Sequence, residues 1–247
     1  MRRYGWKRGL PDFRDFPLSL PHGKALPARI DLSGSCPPVY DQGDLGSCTA
    51  NAIGAAHQFE QMKQREAAFM PSRLFVYYNE RALEGTVSQD AGAIIRDGMK
   101  VVAKQGVCPE AEWPYNVARF KVKPSAKCYT DGAKHLALQY LAVKQTLADM
   151  QGCLAAGFPF VFGFSVYESF ESDAVAKTGI VPMPKRGEQQ LGGHAVLAVG
   201  YDCPTQRFIV RNSWGAGWGK QGYFTIPFSY LVNQNLASDF WTLRLVE

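Results

Sequence analysis

No apolar run in this 247-residue chain is long enough to cross a bilayer. The longest, such as Phe158–Phe164 and Ala195–Val199, fall far short of the roughly 18 residues a spanning helix needs. The six cysteines include no Cys-x-x-Cys pair and the four histidines are scattered, so neither a disulfide framework nor a structural zinc site is indicated. Internal repeats and low-complexity runs are absent too, and with 46% hydrophobic and 20% charged residues the composition is that of an ordinary globular chain. The opening stretch, Met1–Leu10, is basic but lacks a following apolar segment, so no secretory signal is read. A cytoplasmic location, or export by a signal-independent route, is the corresponding expectation.

The charge that is present is unevenly placed. Residues 1–26 carry Arg2, Arg3, Lys7, Arg8, Arg14 and Lys24 against Asp12 and Asp15, which accounts for most of the net +5. With Gly5, Gly9, Pro11, Pro17, Pro21 and Gly23 in the same stretch and no helical or alternating period, it reads as an extended basic arm. Such an arm fits nucleic acid, an anionic lipid or an acidic groove on the same protein. The body is nearly neutral and carries no nucleic-acid motif, which disfavours the first of these.

Beyond the arm, Ala28–Leu32 reads as a short strand. A turn-rich stretch then leads into a mostly apolar helix with Ser47 as N-cap and Ala52, Ala55, Ala56, Phe59 and Met62 at helical spacing. Pro71-Ser72 opens a second helix closed by Gly85, and Ala91–Lys104 forms a third that stops at Gly106. Strands are expected at Leu136–Val143, Phe160–Val166, His194–Tyr201, Phe208–Arg211, Gly222–Ile226 and Phe240–Leu245, with one more helix at Thr146–Ala156. A helix-rich first half and a strand-rich second half predict an α+β protein with two lobes.

Five residues draw attention on chemical grounds. Cys48 stands in the first turn of the first helix, where free N–H groups and the helix dipole favour the nucleophilic thiolate. A buried core cysteine is the plain alternative. His194 opens an alternating strand, and folding the next strand back at residues 203–204 puts Asn212 on the same face, within cross-strand reach. The amide oxygen can then fix one imidazole nitrogen and leave the other for a thiolate. Trp214 lies on that face again and would keep water from the His194–Asn212 hydrogen bond. Gln42, six residues before Cys48, could donate to a developing oxyanion together with the Cys48 backbone N–H.

Three blocks carry a resemblance: Gln42–Cys48, Gly193–Tyr201 and Asn212–Tyr223, the last with its Asn-Ser-Trp-Gly run. In order and spacing they resemble the active-site blocks of papain-like cysteine peptidases, particularly small bacterial members. His194 follows the cysteine by 146 residues and Asn212 by 164. The resemblance implies a papain-like two-lobe fold, with a helical lobe over 27–128, a β-barrel-like lobe over 129–247 and the cleft between them. It implies Cys48 as nucleophile, His194 as its ion-pair partner and general acid, Asn212 as orienting residue, and Gln42 with the Cys48 N–H as oxyanion hole. Gly92 would pair with substrate backbone, Ile95 and Ala195 would line the pocket for the residue second from the cut, and Trp214 would flank the cleft.

Departures from the family are equally readable. Leu45 removes half of a usual disulfide, Thr49 stands in for an aromatic behind the nucleophile, and Cys108 with Cys128 is the pairing the resemblance favours. Residues 1–26 are too short for the family's helical pro-region. They are expected instead to dock across the cleft through their basic residues and Trp6, Phe13 and Phe16. The expected function is a monomeric endopeptidase acting on proteins or peptides through an acyl-enzyme thioester, without metal or cofactor. Acyl transfer is disfavoured by the Asn-Ser-Trp-Gly block, and a catalytically dead binding protein by the presence of Cys48 and His194. The run Gly215–Lys220 lacks the glycine spacing of a phosphate loop.

Overall fold

A computed structural model describes residues 3–19 and 25–246; Arg2, Pro21, Gly23 and Lys24 of the arm lie outside the described residues. The elements in chain order are β1 (Trp6–Lys7), β2 (Arg29–Asp31), α1 (Cys48–Gln64), α2 (Arg73–Leu83), β3 (Ala93–Ile94), α3 (Ile95–Lys104), α4 (Ala126–Gly132), β4 (Ala137–Ala142) and α5 (Leu147–Ala155). They continue with β5 (Phe160–Tyr167), α6 (Asp173–Thr178), β6 (Gln190–Asp202), β7 (Arg207–Arg211), β8 (Tyr223–Pro227), α7 (Phe228–Val232) and β9 (Ala237–Val246). Six strands run in the order β4-β9-β5-β6-β7-β8, β2 adds to β6, and neighbours are antiparallel throughout. The mixture is α+β, a papain-like two-lobe arrangement.

The continuous apolar runs of β5 and β6 follow from burial on both faces. On β5, Phe160, Phe162 and Phe164 join an aromatic core with Phe170, Phe208, Phe224 and Phe240. Val161, with Ala195, Leu197 and Val199 of β6, instead packs into the second core, built mainly by α1, α2 and α3. Helix α1 is buried along most of its length because it lies against that second core, and it carries Thr49, Asn51, His57, Glu60 and Gln61 into the interior with its apolar residues.

Several local expectations need correction. Ser47 does not cap α1 with its side chain; its hydroxyl bonds the Tyr115 hydroxyl and the Asn51 amide instead. Ser72 does cap α2, accepting from the Phe75 N–H. The third helix begins at Ile95, not at Ala91, because Gly92 takes a left-handed φ of 68° and Ala93–Ile94 become a strand. That strand pairs in parallel with β1 of the arm, Trp6 opposite Ala93 and Lys7 opposite Ile94. In the arm itself, Phe13 and Phe16 do not dock: they are 98% and 74% exposed. The docked apolar residues are Tyr4, Trp6 and Leu18. Loop residues between charged groups, as Phe13 and Phe16 are, have no partner signal in sequence.

Candidate active site

Cys48 begins α1, and its side chain is fully buried. The backbone N–H groups of Ala195, Gly5 and Thr49 are directed at its sulfur. Ala195 follows His194 on β6, so the start of α1 and this strand meet where sequence spacing anticipated. Burial pushes the Cys48 thiol up to about 11, against the pull of those N–H groups. With the arm in place the sulfur is therefore held as a thiol.

His194 is buried, and its Nε2 lies 2.8 Å from Asn212 Oδ1. The same oxygen accepts the Ser213 N–H at 2.8 Å. The Ser213 N–H fixes which amide atom is the oxygen, and an amide oxygen can only accept, so Nε2 of the imidazole is the donor in this contact. Asn212 reaches across because β6 and β7 pair with Leu197 opposite Arg211, which sets Asn212 diagonal to His194 on one face. A register shift between Ala198 and Gly200 adjusts the hairpin closer to its turn. The Trp214 indole stacks on His194 at 4.9 Å and 25°, and Trp218 meets Trp214 edge-on at 5.0 Å.

Gln42 is buried beside them. Its Oε1 accepts from Ser213 Oγ at 2.6 Å, and its Nε2 donates to Leu45 O at 3.0 Å and to the Arg3 carbonyl at 3.4 Å. An arm carbonyl thus rests on the Gln42 amide. Gly92 also faces the arm: a Cβ there would lie 2.0 Å from the Gly5 carbonyl oxygen, and Ala93 N donates to that oxygen at 2.7 Å. Ile95 belongs to the helical core, while its neighbour Ile94 lies toward the arm at Gly9.

Residues that sequence reasoning missed surround this group. Gly5 passes so close to the Cys48 loop that a Cβ on it would fall 1.7 Å from Gly46 O. Asp90 accepts from Gly46 N at 3.1 Å and from the Tyr77 hydroxyl at 2.5 Å, tying down the loop where the family's disulfide is missing. It also pairs with Arg3 at 3.0 Å. Behind the nucleophile, Thr49 Oγ1 donates to Glu80 Oε2 at 2.8 Å, and this buried pair fills the wall that an aromatic would otherwise build. Gly98 makes room for it, since a Cβ there would meet Glu80 Oε1 at 2.4 Å and Ile53 Cδ1 at 2.3 Å. No sequence signal links residues 49, 80 and 98; only packing does.

Burial raises Glu80 well above the usual carboxylate range, with Thr49 opposing. A carboxyl raised on folding costs nothing below its unfolded value and progressively more as pH climbs above it, until the folded group itself ionises. Glu80→Gln mimics the protonated form. Its urea midpoint should match the wild type near pH 4 and exceed it increasingly toward pH 7, by roughly 1.4 kcal/mol per pH unit at most. A variant less stable at pH 7 than at pH 4, relative to wild type, would show that Glu80 is ionised in the fold.

A cysteine at a helix start, an imidazole held by an amide and an aromatic, and a glutamine amide beside them define a thiol-hydrolase type of site on an α+β fold. Residues 26–237 match the model of the papain family of cysteine proteases, and the chain belongs to that family. It is 50% identical over 215 residues to an uncharacterized peptidase C1-like protein of Acanthamoeba polyphaga mimivirus, covering 83% of this chain and 69% of that one. A probable cysteine protease of Arabidopsis thaliana is 30% identical over 221 residues, of which the chain spans only 44%. Among solved structures, xylellain, a cysteine protease from Xylella fastidiosa, superposes with a TM-score of 0.93 at 45% identity, over 99% of this chain and 96% of that one. A procathepsin B from Trypanosoma congolense, 20% identical with a TM-score of 0.72, shares the fold.

Proposed function

We propose that the protein is an endopeptidase in which Cys48 attacks the scissile carbonyl, with residues 27–128 and 129–247 as the lobes flanking its cleft. His194 takes the thiol proton and passes it to the leaving amine. Asn212 orients the imidazole, and the Gln42 amide with the Cys48 N–H receives the charge developing on the carbonyl oxygen. Water then hydrolyses the thioester. The observation that carries this reading is the buried His194–Asn212 contact on the strand whose next N–H points at the Cys48 sulfur.

The arm restrains this chemistry. Its Gly5 backbone lies on the sulfur and its Arg3 carbonyl on the Gln42 amide. Leaving-group protonation places the amine side of a substrate toward His194 and the acyl side toward Gly92. The arm leaves Cys48 toward Gly92 and β3 in its N-to-C direction, opposite to such an acyl segment, so it fills the cleft without presenting a peptide bond for attack. Alkylation by a small haloacetamide tests both points. In the full chain the rate should climb about tenfold per pH unit from pH 7 to 9, as for a thiol titrating near 11. In Trp6→Ala, whose arm is loosened, reaction at Cys48 should persist well below pH 8 and vanish with the additional His194→Ala change. Equal pH profiles for all three proteins would refute the ion pair.

A further inference from the structure

Away from the cleft, two of the other cysteines face each other. Cys108 lies in the loop after α3 and Cys128 in α4, and both are fully buried. They are free thiols, not the disulfide that the family resemblance favours. Glu112 joins them: its carboxylate and the two sulfurs offer three ligand atoms within 4.8 Å of one another. Lys127, itself exposed, pairs with Glu112 Oε1 and with Asp131 Oδ2. The other carboxylate oxygen, Glu112 Oε2, is buried and has no hydrogen-bond partner among the described residues. Ser125 Oγ lies 3.2 Å from the Cys128 sulfur. A buried carboxylate oxygen without a donor is costly, and burial with the neighbouring sulfur pushes the Cys108 thiol well above its usual range. A cation between the three groups would relieve both costs.

We propose that Cys108, Glu112 and Cys128 bind one zinc ion, in a structural site that pins the loop after α3 to α4. Tetrahedral zinc sets such ligand atoms about 3.5–3.8 Å apart, which small side-chain rotations reach from the present spacing. Two thiols with one carboxylate suit zinc, whereas magnesium and calcium take oxygen ligands throughout. On binding, each thiol releases its proton to solvent, two Zn–S bonds and one Zn–O bond form, and one retained water completes the tetrahedron. Two thiolates and a carboxylate outweigh the ion by one negative charge, which Lys127 offsets from outside. The Ser125 hydroxyl is placed to donate to the Cys128 thiolate. The spacing Cys-x3-Glu-x15-Cys has no Cys-x-x-Cys pair, so folding alone assembles the set. The pinned loop runs on to Tyr115, whose N–H donates to Glu110 Oε1 and whose hydroxyl donates to Gln42 O, both at 2.8 Å. The ion therefore steadies the support behind Gln42, and its binding does not depend on the peptidase reading.

The test uses the full-length Cys48→Ala protein, reduced and metal-free, so that the cleft sulfur cannot compete for the ion. Zinc chloride is titrated against a chromophoric chelator, and bound metal is counted by mass spectrometry after gel filtration. One zinc per chain is expected, with an association constant rising by up to about a hundredfold per pH unit from pH 6 to 7 as two thiol protons are displaced. Cobalt(II) in its place should give thiolate-to-metal charge-transfer absorption. An added Cys128→Ser change should weaken zinc binding at least about a hundredfold and halve that absorption. Should that variant fail to fold, Glu112→Gln, a half-buried change that spares the core, should weaken binding about tenfold with an unaltered circular dichroism spectrum. No zinc uptake, uptake unchanged by these substitutions, or a pH dependence of tenfold per unit or less would overturn the proposal. So would a Cys108–Cys128 disulfide, found by peptide mapping, whose reduction produces no zinc binding.

Discussion

Cys48→Ala should yield a folded protein that hydrolyses fluorogenic peptides at least ~10⁴-fold more slowly than the wild type. A methyl replaces the thiol approximately in the fold, since the sulfur's part is to accept the backbone N–H groups of Ala195, Gly5 and Thr49. What is lost is the atom that forms the acyl bond. His194→Ala should cost a similar factor, because a thiol that burial holds near 11 supplies almost no thiolate at pH 7 without a base. Groups that act as one unit are not additive, so the Cys48→Ala/His194→Ala double variant should be no slower than either single one. Steady-state rates, with circular dichroism as the check on folding, decide the matter. Turnover retained in Cys48→Ala would remove the sulfur from the mechanism.

The second large effect concerns the arm. Trp6→Ala should raise kcat/KM of the full chain by about 10- to 100-fold, equivalent to roughly 1.4–2.7 kcal/mol of lost docking. Trp6 is the arm's apolar anchor over Gly163 and Gly193, and it donates to Asp239. Removing a packed indole commonly costs more than this, but Arg3–Asp90, Lys7–Glu84 and the β1–β3 pairing remain to hold the arm. The ion pairs are largely solvent-exposed on the arm's side and weaken with salt. Raising ionic strength should therefore activate Trp6→Ala further and the wild type less. Identical rates for wild type and Trp6→Ala under both conditions would mean that the arm does not gate the cleft.

The degree to which residue order foretold these features varies with the kind of interaction involved. The strands around His194 and Asn212 were legible because alternation, a turn at Asp202–Gln206 and antiparallel pairing leave little choice of face. The helical start at Cys48 was legible from spacing, although its cap was not, since Ser47 is drawn off by Tyr115 from a loop 68 residues away. The short strand at Ala93–Ile94 was hidden within a helical pattern, because its partner is the arm and no local periodicity announces a two-residue parallel pairing. Phe13 and Phe16 looked like docking groups on hydrophobicity alone, yet they point outward while the smaller Gly5 makes the closest approach.

The family and the groups proposed to react were therefore written in local patterns: a cysteine after a glycine-bearing loop, a histidine and an asparagine in register on one hairpin. These survive reading in one dimension because backbone periodicity dictates which side chains share a face. The Thr49–Glu80–Gly98 wall, the carboxylate of Asp239 at the end of a glycine slot, and the reversed course of the arm over the sulfur emerged from the folded chain alone. Each joins residues from separate elements through close packing, and steric fit between distant segments leaves no periodic trace along the chain.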